Sequence, residues 1–103
     1  MDRVIRSTDR TASSRIDRRC FACCLRIREG DRYVETALAG ASTAWSVAEH
    51  AQCRGEVLRS IYLAGDDTYD HGYLHDLYGE DPEYLSDEWR DWYEPRKEAE
   101  NGG

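Results

Sequence analysis

The chain has 103 residues, of which 40% are apolar and 34% charged, and it carries a net charge of −7. That length suits one compact domain in which burial alone gives modest stability, so a stabilising metal fits its size. No apolar run approaches the ~18 residues needed to cross a bilayer, and the arginine-spaced N-terminus lacks the continuous hydrophobic stretch of a secretory signal, so the expectation is a cytosolic protein.

Charge is segregated along the chain. Residues 1–30 carry eight arginines against four acids, residues 31–60 are nearly balanced, and residues 61–103 carry three basic residues against thirteen acids. One end is basic and the other strongly acidic. Seven tyrosines and three tryptophans predict a thin, aromatic core.

Residues 1–18 are rich in Ser, Thr, Arg and Asp with scattered apolar positions, and are expected to form a flexible basic arm or a loosely docked strand. After Cys20 the pattern changes. Leu25 and Ile27 alternate with Arg26 and Arg28, Glu29-Gly30-Asp31 supplies a turn, and residues 33–36 read as a second strand, so a β-hairpin follows a cysteine pair. Residues 43–47 return as a third strand, with Trp45 and Val47 on one face. A helix begins near His50, carries Val57, Leu58, Ile61 and Tyr62 at helical spacing, and stops at Gly65. Residues 73–78 suggest a short helix. Asp81-Pro82 reads as the start of another, with Leu85, Trp89, Trp92 and Tyr93 on its apolar face and Pro95 at or beyond its end. The expected organisation is an arm (1–18), a metal-binding unit (19–65), an acidic aromatic helical extension packed on it (66–95) and a disordered tail (96–103).

Cys20 and Cys23 have the spacing at which a tight knuckle turns two thiolates toward one ion. His50 and Cys53 repeat that spacing at a helix start, where positions i and i+3 share a face. In a reducing compartment such pairs favour metal over disulfides, and the expected cofactor is one structural Zn2+ held by Cys20, Cys23, His50 and Cys53. Two other readings of these thiols stay open: buried reduced cysteines packed as small apolar residues, and a redox dithiol. Cys24 could stand in for Cys23, although the two-residue spacing favours Cys23. His71 and His75, with Asp70 and Asp76 beside them, form a second pair of ligand type, against a plainer reading as surface residues of an acidic helix.

The order Cys20-x2-Cys23, Ile27, Gly30 in a turn, Tyr33 in a strand, and His50-x2-Cys53 entering a helix resembles treble-clef zinc fingers. The poly(ADP-ribose) polymerase type, the first zinc site of LIM domains, and small zinc-finger proteins of phages and mobile elements are the nearest in pattern. The resemblance covers residues 18–62. It implies a small α+β fold in which zinc stabilises a treble-clef-like β-hairpin and helix, followed by short C-terminal helices, and it favours an inhibitor or modulator of a host system.

A closed Cys3His site leaves no open position for water or substrate. The chain also lacks a Gly-rich phosphate loop, a Ser-centred nucleophile elbow and a His-Glu-x-x-His motif, so no enzyme is expected. Protein binding is the leading expectation. Tyr69, Asp70, Tyr73, Asp76, Tyr78, Asp87, Trp89, Asp91 and Trp92 interleave aromatic rings with carboxylates, a surface suited to a basic partner, including one for which the acids mimic nucleic-acid phosphates. The alternative is nucleic-acid binding through the finger and Arg3, Arg6, Arg10, Arg15, Arg18, Arg19, Arg26 and Arg28, which the net charge opposes. A third reading pairs the arginines with the acidic half, within one chain or between the copies of a homodimer.

Overall fold

Residues 3–13, 17–40, 42–65 and 69–102 are described in a computed structural model of the chain. Three strands, β1 (Arg3–Thr11), β2 (Arg32–Ala39) and β3 (Ala44–His50), precede three helices, α1 (Ala51–Ala64), α2 (Tyr73–Glu80) and α3 (Asp87–Gly102), with a 3₁₀ turn at Pro82–Tyr84 between the last two. The sheet is antiparallel in the order β1-β2-β3. It is a small α+β fold.

The hairpin at the centre of the sheet is β2–β3, in register from Tyr33 opposite His50 to Ala39 opposite Ala44. Residues 25–28, expected as its first strand, contribute only an isolated bridge between Arg26 and Arg19. This segment is occupied elsewhere: Cys20 N–H bonds to Leu25 O and Ile27 N–H to Arg18 O, closing a loop around the cysteine pair. Trp45 is 39% exposed beside the turn of the hairpin, and burial deepens only toward Ala48, Glu49 and His50 at its open end.

The N-terminal segment takes the strand alternative rather than the flexible arm. Arg3–Thr11 forms β1, paired with the full length of β2 apart from a bulge between Val4 and Arg6. β1 covers an edge of β2 that would otherwise present unpaired backbone groups. Its side-chain contacts are polar, Ser7 Oγ to Thr36 Oγ1 at 3.3 Å and Arg10 to Glu35 at 3.0 Å, which is why no apolar alternation announced it.

α1 begins at Ala51 and ends where Gly65 adopts a left-handed conformation (φ 76°) with its N–H returned to the last turn. Its buried stripe is Cys53, Val57 and Ile61, flanked by Glu56 and Ser60. Leu58 and Tyr62 lie on the next row and stay exposed, contrary to the expected apolar face.

Two features of the C-terminal third also differ from expectation. Asp81-Pro82 opens only the 3₁₀ turn, and Ser86 caps α3 by accepting the Trp89 N–H at 3.2 Å. Ser86 is itself held by buried Glu56, which accepts its N–H at 2.7 Å and its hydroxyl at 2.6 Å. Pro95 lies inside α3 rather than at its end, and the expected disordered tail is helical through Gly102. Distant ties hold this last stretch: Arg96 forks onto Asp31, and Glu100 takes the Arg26 N–H and pairs with Arg19 and Arg28.

One core joins these elements. Ala12, Ile27, Tyr33 and Ala48 from the sheet side meet Val57 and Ile61 of α1, Leu74 of α2, and Leu85, Trp89 and Tyr93 around the four buried ligand-type residues. Trp89 and Tyr93 stack with ring centres 4.4 Å apart, and Tyr78 meets Tyr93 edge-on at 5.0 Å. The aromatic core predicted from composition is present, and it is built against the cysteines.

Candidate metal centre

The cysteine pair sits on a tight turn. Cys24 N–H bonds to Cys20 O at 3.0 Å, and Cys23 N–H points at Cys20 Sγ at 3.5 Å. Closing this turn places Cys24 in the left-handed region at φ 68°. A second donor, the backbone N–H of His50, reaches the same Cys20 sulfur at 3.4 Å. Two amides aimed at one sulfur favour its thiolate form.

His50 closes β3 and Cys53 lies in the first turn of α1, so the strand-to-helix junction delivers both side chains to the knuckle. The ligand atoms of Cys20, Cys23, His50 and Cys53 all lie within 4.8 Å of one another. All four residues are 0% exposed, and the cysteines are free thiols. His50 Nδ1 faces the sulfurs, 3.5 Å from Cys23 Sγ and 3.9 Å from Cys53 Sγ. Its Nε2 faces away, 3.1 Å from Arg26 O, which fixes Nε2 as the protonated nitrogen and Nδ1 as the free lone pair. The set can hold one metal ion.

The surroundings favour ionisation of one thiol over the other two. Burial works against ionisation of Cys20, but hydrogen bonds from Cys23 and Cys53, with His50 beside them, overcome it and hold the Cys20 thiol far below its ordinary range. Cys23 is pushed up chiefly by its bond to Cys20, and Cys53 chiefly by burial and then by Cys20. A buried thiolate in a dry site is what a cation neutralises.

Around the four residues lies a built outer layer. Asp31 Oδ2 is 3.4 Å from His50 Nε2 and accepts the Arg28 N–H at 2.8 Å, while Arg96 grips both carboxylate oxygens at 2.7 and 3.0 Å. Partial burial works against ionisation of Asp31, and Arg96 outweighs it, holding the carboxyl below its usual range. Trp92 meets the His50 ring edge-on at 4.9 Å and is covered by the Arg96 guanidinium at 4.6 Å. Trp89 directs its indole N–H at Cys53 Sγ, 3.4 Å away. Residues 89, 92 and 96 share one face of α3, so that helix forms a wall of the site.

The expected partner-binding residues separate into two groups. Tyr69, Asp70, Tyr73 and Asp76 line one open pocket together with Leu77 and Glu80. Trp89 is 3% exposed and Trp92 is half-buried against His50, so both face the metal centre, and the Tyr78 hydroxyl is committed to Glu94 at 2.7 Å. Asp87 and Asp91 are exposed on α3, with Asp87 paired to Arg90. His71 precedes α2 whereas His75 lies within it, so the two do not share a helical face. Cys24 is half-buried and outside the ligand cluster, which contains Cys23.

The role of α3 at the metal site was missed in the sequence, although the Trp89, Trp92, Arg96 spacing (i, i+3, i+7) was there to be read. Most arginines of the basic end are also accounted for. Arg10 and Arg18 pair with Glu35, Arg19 and Arg28 with Glu100, and Arg26 with Asp17. The side chains of Arg3 and Arg15 lie outside the described residues. None of the helices in the described residues is long and apolar enough to cross a membrane. Comparison of the chain with protein-family models, with curated proteins and with solved structures returns no match.

Proposed function

We propose that this chain is a non-enzymatic binding protein whose fold is stapled by one structural Zn2+ on Cys20, Cys23, His50 and Cys53. The observation that carries the reading is the complete burial of a three-sulfur, one-nitrogen donor set. Zn–S bonds of ~2.3 Å and Zn–N bonds of ~2.1 Å in a tetrahedron give corner-to-corner distances of about 3.5 to 3.8 Å. The His50 Nδ1 to sulfur distances of 3.5 and 3.9 Å match them. Four protein ligands with no solvent access leave no position for a reacting water, which supports scaffolding over catalysis.

The order of knuckle, β2–β3 hairpin and α1 supports a treble-clef arrangement, with one ligand pair from the knuckle and one from the helix start. The free thiols support a reducing, intracellular setting.

Function then falls to the surface. The acidic second half is the proposed contact for a basic protein, with its carboxylates standing where nucleic-acid phosphates would. Internal pairing of Arg10, Arg18, Arg19, Arg26 and Arg28 weighs against direct nucleic-acid binding, because phosphate contacts would have to displace existing partners.

Metal analysis of untagged protein tests the staple: one zinc per chain is expected, and well under one refutes it. Binding to DNA that weakens steeply with salt would move the function to the finger; no DNA binding at low salt, with binding to a basic protein, supports the acidic surface.

A further inference from the structure

The proposed contact with a basic protein rests on a half of the chain with many carboxylates, and one place in it has a shape. A cavity of about 330 Å3 opens between the C-terminal half of α1 and α2, lined by Ser60, Leu63, Ala64, Tyr73, Leu77 and Tyr84. Leu63 is 67% and Tyr84 61% exposed. Single exposed apolar residues are ordinary, but these converge on one concavity with room for a side chain or two.

On the opposite side of Tyr73 and Leu77, which border both, lies the pocket of Tyr69, Asp70, Asp76 and Glu80. The Tyr69 hydroxyl is committed to Glu49 at 2.6 Å and the Tyr73 hydroxyl to Ser60 at 2.9 Å, leaving the carboxylates and His71, whose ring packs edge-on against Phe21, as the polar groups offered to a ligand. Asp70, Asp76, Glu80, Asp81 and Glu83 have no ion-pair partner among the described residues. Both α1 and α2 end near the cleft without a basic residue in the last turn, so their negative dipole ends add to the field. Two described cations border the cleft and both are paired: Arg59 bonds the Tyr84 carbonyl and pairs with buried Glu56, and Arg54 bonds the Tyr69 hydroxyl and pairs with buried Glu49.

We propose that this cleft seats an amphipathic, lysine- or arginine-bearing helix of a partner protein. An apolar side chain enters the Leu63–Leu77–Tyr84 cavity, and a cation about one turn away crosses the Tyr73–Leu77 ridge to Asp70, Asp76 and Glu80. A second copy of this chain is disfavoured as occupant, since it would bring the same net charge of −7 to an acidic cleft.

The test uses the whole 103-residue chain, loaded with zinc, and a fluorescein-labelled peptide of about four helical turns with leucines along one face and lysines beside them. A twin peptide replaces the leucines by serine and keeps every charge. The leucine peptide should bind at least about tenfold tighter than its twin. Leu63→Ser with Tyr84→Ala should erase that difference at unchanged zinc content and helicity, and amide shifts should concentrate at residues 60–64 and 73–77. Equal binding of the two peptides, weakened mainly by Asp87→Lys with Asp91→Lys, would overturn the cleft while leaving an acidic contact surface in place. No binding of either peptide at low salt would remove both. A dimer in native mass spectrometry that Leu63→Ser abolishes would give the cleft to a second copy and overturn the proposal.

Discussion

The Trp89 indole donates its N–H to Cys53 Sγ at 3.4 Å, linking α3 directly to the candidate ligand contributed by α1. A hydrogen bond to a metal-bound thiolate draws charge off the sulfur and tunes the metal–sulfur bond. Trp89→Phe keeps most of the buried ring and deletes the donor. The expected result is a folded protein with metal affinity lowered about tenfold and stability lowered by about 1 kcal/mol, read by chelator competition and denaturant titration. Unchanged affinity would mean that the contact is packing alone.

A second link runs from α3 through Asp31 to His50. Arg96 holds Asp31 with two bonds, and Asp31 lies against the imidazole nitrogen that faces away from the cluster. Asp31→Asn retains the shape but loses the charge that supports the ring and answers Arg96. Metal affinity should fall about 10- to 100-fold, the range for partners that orient a ligand. Arg96→Ala should give a smaller loss and should free the last turns of α3, seen as faster amide exchange over residues 96–102. Exchange there as slow as in the parent would show that Glu100 alone secures the helix end.

These links explain what was and was not legible in the sequence. The ligand set depends on local spacings, two residues between Cys20 and Cys23 and again between His50 and Cys53, and the end of α1 depends on one glycine. Such features are visible in a short window. β1 is not, because its stability comes from backbone pairing with β2 and from polar contacts to Thr36 and Glu35 rather than from an apolar stripe. α3 continues past Pro95 because Arg96 and Glu100 find partners 65 and 74 residues away. Local propensity favours a stop there, and tertiary contacts override it. Trp89 and Trp92 illustrate a different ambiguity: aromatic residues at helical spacing among acids suit an interface and a core equally well, and here their inner faces are occupied by Cys53 and His50.

Removing the metal should unfold the domain. Structural zinc contributes on the order of 10 kcal/mol, comparable to the whole stability of a small domain. A strong chelator should therefore collapse amide-shift dispersion across β2, α1 and α3 together, and zinc should restore it under reducing conditions. Acid should act in the same direction, because the ligands bind only when deprotonated: as pH falls, protons displace the ion and stability falls with it. Native dispersion in metal-free protein at neutral pH would show instead that the aromatic core suffices.

Cys24 offers a test in the stabilising direction. It is the one non-glycine residue with positive φ among the described residues, and it stands immediately after Cys23, where the knuckle turns back. A side chain in that conformation costs about 1 kcal/mol that glycine avoids. Cys24→Gly should keep one metal per chain and raise the melting temperature by about 4–8 °C, the shift that 1 kcal/mol produces in a domain near this size. A β-branched replacement, Cys24→Val, should lower it. The metal content of the glycine variant decides between the two neighbouring thiols: a full complement leaves Cys23 as the ligand, and loss of the ion would transfer that role to Cys24.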